Sequence, residues 1–267
     1  MARGRLAGRT AWISGATKGI GEGTALLFAE EGAAVGVIGR NETDGLRVTR
    51  AIKRKGGKAI FIRCDVARED EVRASIEQTV SAFGGIQVLV NNAGIVDVRM
   101  LHEYTEEQWD HVIAVNVKAI FFAFKHAFPH LRKNKRSYVV NVGSISSFVG
   151  QSSTPAYTAS KGAVLQLSRS IALDYARHGI RCNCVCPGIT DTPMLRQHLN
   201  AAPDPAALLA ERLNRVPLNV ALTPRDVAKA ILYFSCEDSA GITGTSLIVD
   251  AGYLAAAEWN CSAVRNP

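Results

Sequence analysis

Tyr157 and Lys161 stand four positions apart in Tyr157-Thr-Ala-Ser-Lys161, and a phenol and an amine at that spacing can do acid–base chemistry. On an α-helix, positions i and i+4 share a face one turn apart, so both groups can point into one small volume. A free phenol ionises near ~10, and a neighbouring ammonium favours its phenolate, which suits proton exchange with an alcohol or carbonyl oxygen. Two fixed letters in five also occur on solvated helix faces. The pair therefore gains meaning only from what the rest of the chain builds around it.

Stepping along the chain, residues 10–14 read as a short strand, followed by a glycine turn with Gly15, Thr17, Lys18, Gly19, Ile20 and Gly21 and a helix reaching Glu30. Strand, glycine turn and helix in that order let a backbone approach a pyrophosphate, which then sits at the amide end of the helix. A second strand at 33–38 leads to Gly39 and Arg40. In a dinucleotide fold an acidic residue at this point would hold the ribose 2′-OH of NAD, and none stands here. The Arg40 guanidinium suits a 2′-phosphate, with Lys18 adding charge, so NADP(H) is favoured and NAD(H) stays possible. A helix at about 43–55 precedes a third strand at 59–63, where Asp65 could accept from an adenine amino group or cap the helix at 69–83.

A fourth strand at 88–90 ends in the small residues Asn91, Asn92, Ala93 and Gly94, which allow close approach to a cofactor. Thr105 opens a long helical region to about Arg132, and Asn116 lies within it among apolar neighbours, where its amide must be satisfied and could disturb the helix. The fifth strand, 138–142, leads to Ser144. A helix from Tyr157 to about Arg177 precedes the sixth strand at 181–186, which stops at Pro187-Gly188. The segment at about 191–217 is punctuated by prolines and reads as a lid over the site, with an amphipathic piece near 206–213. A helix from Pro224 and a seventh strand at 247–249 complete the alternation, and the tail at 253–267 carries Trp259 and Cys261. Strands alternating with helices predict a single α/β domain: a doubly wound, parallel, seven-stranded, Rossmann-type sheet.

The 267 residues are 47% hydrophobic and 21% charged, enough for one sizeable core. No apolar run approaches the ~20 residues of a membrane span, and the basic N-terminus lacks the apolar core of a secretory signal, so a cytoplasmic protein is expected. The net charge of +7 raises nucleic acid as a partner, but the clusters at 53–55 and 132–136 lack interleaved aromatics and fall at expected helix ends. Cys182, Cys184 and Cys186 alternate onto one strand face and read as buried thiols, since no CxxC pair is present. The six histidines show no HExxH spacing, so no metal is expected. No G-x-S-x-G elbow occurs, which argues against a hydrolase.

Together these stretches resemble the short-chain dehydrogenases/reductases, from about Leu6 to Gly252. The matching residues are SGATKGIG at 14–21, CDV at 64–66, NNAG at 91–94, Asn116, Ser144, YTASK at 157–161 and PGITDT at 187–192. The resemblance implies Tyr157 as general acid/base, Lys161 as the group that eases its ionisation and holds the nicotinamide ribose, Ser144 as the binder of the substrate oxygen, and Asn116 as the keeper of a relay water. It extends cofactor contact to the glycine turn, to Arg40, to Asp65 and Val66, to Asn92, Ala93 and Gly94, and to Pro187, Gly188, Thr190 and Thr192. Departures are few: Ser14 where Thr is usual, Gly143 where Ser is frequent, and Ala251 in the last motif. The family's habit of forming tetramers implies a homotetramer here, with a homodimer as the smaller alternative. The expected activity is hydride transfer between NADP(H) and a secondary alcohol or ketone. An NAD(H)-dependent sugar or polyol dehydrogenase, a 3-oxoacyl-carrier-protein reductase and a non-catalytic dinucleotide-binding regulator stand as alternatives.

Overall fold

The computed structural model describes residues 4–256, so the part of the tail holding Trp259 and Cys261 lies outside the described residues. Seven strands form one sheet: β1 (Thr10–Ser14), β2 (Ala34–Gly39), β3 (Lys58–Arg63), β4 (Val88–Asn91), β5 (Ser137–Val142), β6 (Ile180–Pro187) and β7 (Ser246–Val249). Every pairing is parallel, in the order β3-β2-β1-β4-β5-β6-β7. The chain winds outward from β1 to β3 and then restarts at β4 on the other side of β1. That reversal opens a crevice at the carboxyl ends of β1 and β4.

The helices are α1 (Gly19–Glu30), α2 (Glu42–Arg54), α3 (Glu69–Phe83), α4 (Glu106–Ile113), α5 (Ala119–Leu131), α6 (Pro155–Tyr175), α7 (Pro193–Leu199), α8 (Pro205–Leu213) and α9 (Pro224–Tyr233). Strand residues alternate between two cores. Trp12, Leu89, Val139 and Cys182 face one layer with Ile76, Ile120 and Val164, while Ala11, Ile13, Val88, Val140 and Val185 face the other with Phe28, Val48 and Ile231. Both sheet faces are thus covered, as a parallel sheet requires. Trp12 is buried because its one polar atom is met: Nε1 donates to Ser75 Oγ at 3.1 Å.

Several expected boundaries move for physical reasons. Asp65 does not cap α3. Its Oδ1 accepts from Ala67 N at 3.0 Å in a tight turn, and the cap position falls to Arg68. The α6 helix begins two residues before Tyr157, with Pro155 in its first turn, where a missing amide proton costs nothing. The long helical region from Thr105 is broken around Asn116 by a π-turn at Ala114–Lys118, and the stretch Glu106–Leu131 has an 18-residue window of mean hydropathy 1.3. It is therefore apolar enough and long enough to span a bilayer by composition; half of that window is buried inside the protein, which accounts for the apolarity. The proline-rich segment holds α7 as well as the amphipathic α8.

Candidate active site

At the crevice, Ser14 ties β1 to β4. Its Oγ accepts from Asn92 N and Ala93 N, both at 3.0 Å, and Asn92 Nδ2 donates to the carbonyls of Ser14 at 2.9 Å and Gly15 at 3.2 Å. Asn92 thus braces the glycine turn with its amide. The turn itself has no room for side chains: a Cβ on Gly21 would lie 2.2 Å from the Gly15 carbonyl oxygen, and one on Gly15, whose φ is +63°, 2.9 Å from Ala93 Cα. Lys18 occupies the cap position of α1 and makes no side-chain cap bond, so the first-turn amides face the crevice without an intrahelical acceptor. Bare backbone and free amide donors at this point fit a dinucleotide pyrophosphate.

The other expected cofactor residues distribute around this cradle. Thr17 is buried against Gly39, where a Cβ would approach the Thr17 methyl to 2.6 Å. Arg40 follows, mostly exposed, with Nη1 3.9 Å from Asp65 Oδ2. Val66 turns its side chain into the first core, and Ile20 packs against the second. From the far side, Pro187 ends β6, Thr190 donates to the Gly188 carbonyl at 3.0 Å, and Thr192 caps α7 through Leu195 N at 3.3 Å. Thr192 reaches back to the glycine turn, 3.4 Å from where a Gly19 Cβ would sit.

Asn116 sits at the centre of the π-turn, a feature that recurs at functional sites. Its Oδ1 accepts from Ile95 N at 2.8 Å, and Nδ2 donates to Ile95 O and to Ser160 Oγ, both at 2.9 Å. Both amide protons are spent on pinning the loop after β4 to α6. A relay water would have to use what remains, the second lone pair of Oδ1 or the backbone.

Tyr157 and Lys161 share one face of α6, with Lys161 Nζ 5.6 Å from the centroid of the phenol ring. Lys161 is only 4% exposed, and Nζ donates to the Val142 carbonyl at 2.8 Å. Gly94 lies beside both groups: a Cβ there would stand 3.5 Å from Nζ and 3.4 Å from Asn116 Oδ1, in ordinary contact, so the ammonium borders the loop after β4. Ser144, at the carboxyl end of β5, is buried, and its Oγ accepts from Ser146 N at 3.1 Å and lies 3.3 Å from Ser146 Oγ, which itself donates to Gln151 Oε1 at 2.8 Å. Ser14, Gln151 and Ser160 are site-shaping residues that pattern reading assigned no role. Ser160 could have been found from its place beside Lys161, whereas Gln151 carries no local signal.

Behind Ser144, Gly143 leaves room for two thiols. A Cβ there would fall 2.9 Å from Cys184 Sγ, Cys186 Sγ and Ser147 Oγ alike, which explains the departure from the more frequent serine. Cys182, Cys184 and Cys186 are buried on one face of β6, as their alternation predicts. Burial pushes the Cys182 thiol up, and the Cys184 sulfur 3.6 Å away, with burial, pushes Cys186 up.

Comparison with known proteins identifies the family. The family described as "Enoyl-(Acyl carrier protein) reductase" matches residues 15–254. The chain is 39% identical to 2-(R)-hydroxypropyl-CoM dehydrogenase of Xanthobacter autotrophicus, covering 92% of this chain and 99% of the relative. It is 39% identical to cis-4-hydroxycyclohexanecarboxylate dehydrogenase of Sinomonas cyclohexanicum (94% and 98%) and 37% identical to L-fucose dehydrogenase of Oryctolagus cuniculus (94% and 87%). These relatives are named as dehydrogenases of CH–OH groups on quite different carbon skeletons. Likeness over almost the whole chain, on a seven-stranded doubly wound sheet with its crevice at β1 and β4, shows that the chain belongs to the short-chain dehydrogenase/reductase family and is an oxidoreductase.

Proposed function

We propose that this enzyme transfers a hydride between NADP(H) and a secondary alcohol or its ketone, with Tyr157 as general acid/base, Lys161 as its electrostatic partner, Ser144 as the donor to the substrate oxygen and Asn116 as a positioning residue. When bound, the nicotinamide supplies the hydride donor or acceptor. The observation that carries the reading is the buried Lys161 ammonium, 5.6 Å from the Tyr157 ring and bonded only to a backbone carbonyl among the described residues. Set on one helix face beside that ammonium, Tyr157 takes the hydroxyl proton as the alcohol is oxidised and returns it in the reverse direction. Ser146 N already donates to Ser144 Oγ, which leaves the Ser144 proton free to turn from Ser146 Oγ to the substrate oxygen.

The preference for NADP(H) rests on Arg40, whose guanidinium stands at the end of β2 with only a distant carboxylate partner at 3.9 Å. A homotetramer is the assembly proposed, supported by Leu173 on α6, 81% exposed, and Phe121 on α5, both large apolar side chains facing solvent in the single chain. Light scattering at micromolar concentration reads the assembly directly. For the activity, turnover of a secondary-alcohol panel followed by absorbance at 340 nm with each coenzyme is the test. Faster turnover with the phosphorylated coenzyme supports both parts; preference for NAD(H) removes the reading of Arg40; coenzyme binding without turnover of any alcohol or ketone points to the non-catalytic regulator.

A further inference from the structure

We infer that the substrate carries an apolar body of several carbons on the side of its carbinol carbon facing the loops after β4 and β5, and that polyhydroxylated alcohols are poor substrates. This rests on Tyr157 and Ser144 being the reacting site. The two loops are clasped to each other: Arg99 N donates to the Ser153 carbonyl at 2.8 Å, and Ser153 Oγ lies 3.7 Å from Met100 Sδ. Ser144 opens the second loop as the cap of its short turn, so whatever oxygen it binds has these loops for neighbours.

Their side chains are arranged the reverse of an ordinary surface. Val98, Met100, Leu101, Phe148 and Val149 face solvent, Leu101 at 63% exposure. The hydroxyls that a sugar would need are turned inward and used: Ser146 is buried on Gln151 and Ser144, and Thr154 is buried with Oγ1 donating to the Gln151 carbonyl at 3.2 Å. The charges are also spent, with Arg99 paired to Asp97 at 3.0 Å and its guanidinium 5.3 Å over the Tyr104 ring. His102, Glu103, Ser152 and Gln151 are the exposed polar side chains of these loops: Glu103 accepts from Met100 N at 2.9 Å, Ser152 Oγ lies 3.4 Å from Ser153 Oγ, and Gln151 Oε1 is taken by Ser146, which leaves its amide nitrogen and His102 open among the described residues. Clustered exposed apolar side chains beside a polar anchor are the composition of a ligand site for an apolar molecule. Burial of each added methylene then raises kcat/KM about fourfold, from the usual transfer free energy of a CH₂ group.

The test is kcat/KM for the series 2-propanol, 2-butanol, 2-pentanol and 2-hexanol, with sorbitol alongside. The expected result is a rise of about fourfold per methylene, with sorbitol below 2-butanol. Leu101→Ala and Phe148→Ala, each at an exposed position and checked by thermal melting, should lower the ratio of 2-hexanol to 2-propanol about tenfold. A flat series with measurable 2-propanol turnover, or a preference for sorbitol, overturns the apolar-body inference while leaving hydride transfer standing. A flat series accompanied by dissociation of Leu101→Ala in light scattering would reassign the patch to contact with a second copy. No turnover of any alcohol overturns the hydride-transfer reading itself, and this inference with it.

Discussion

Two basic sites, one at each edge of the sheet, handle charge in opposite ways. At the amino edge, just before β1 and β5, Arg9 and Arg136 both donate to Glu237, the Tyr138 hydroxyl donates to the same carboxylate at 3.3 Å, and the Arg9 guanidinium lies 4.9 Å from the Tyr138 ring centroid. At the carboxyl edge, Lys161 is more deeply buried and, among the described residues, meets a carbonyl and no carboxylate. Charges that neutralise one another fasten elements together. A buried charge left single is costly to keep, and that cost marks the place where a reacting group needs it. A cavity of about 900 Å³ at the amino edge beside Arg9 and Lys55 touches none of the candidate residues, whereas one of about 670 Å³ is lined by Lys18, Gly19 and Thr192.

Exchanging residues at the two edges should separate activity from stability. Lys161→Met keeps much of the volume and removes the buried charge, so kcat/KM should fall about 10³-fold while the melting temperature holds or rises. A lower melting temperature with activity intact would make Lys161 a structural residue like those at the opposite edge. Arg40→Ala should lower the preference for NADP(H) over NAD(H) about tenfold, the value of one charge-assisted contact, without changing kcat on the better coenzyme. An unchanged preference would remove Arg40 from the coenzyme site.

Glu237→Ala is the smallest effect and the mirror of the first. Half-exposed Glu237 is screened, so its loss should cost about 1 kcal/mol and lower the melting temperature about 2–4 °C, with activity per folded molecule unchanged. Burial opposes its ionisation, yet the bonds from Arg9 and Arg136 hold the carboxylate below its ordinary value. Its stabilisation is therefore complete above the unfolded glutamate range, near ~4.3, and is lost as pH falls through the lower folded value. Melting curves of both proteins should converge in acid; a gap that widens there would contradict the pairing.

Much of the carboxyl edge was readable because its requirements are local. Gly15 and Gly21 are glycines where a Cβ would meet backbone, and Tyr157 and Lys161 need only helical spacing. Asn116 announced itself as an amide among apolar residues, but the π-turn that absorbs it comes from its bonds to Ile95 and Ser160, contacts that exist only once the chain is folded. Asp65 shows the converse: a plausible helix cap by position, it turns instead on Ala67 N. The substrate loops were least legible. Val98, Leu101 and Phe148 are exposed yet carry no periodicity, and Ser146 and Thr154 meet their Gln151 partners only in the folded loop.

The central claim, that the Tyr157 hydroxyl moves the proton beside the buried ammonium, is tested most directly by Tyr157→Phe in single-turnover hydride transfer followed at 340 nm, with coenzyme Kd measured on the same preparation. The account predicts an unchanged Kd and a loss of about 10³-fold in the transfer rate, since only the hydroxyl is removed. A rate within a few fold of the wild type would contradict it.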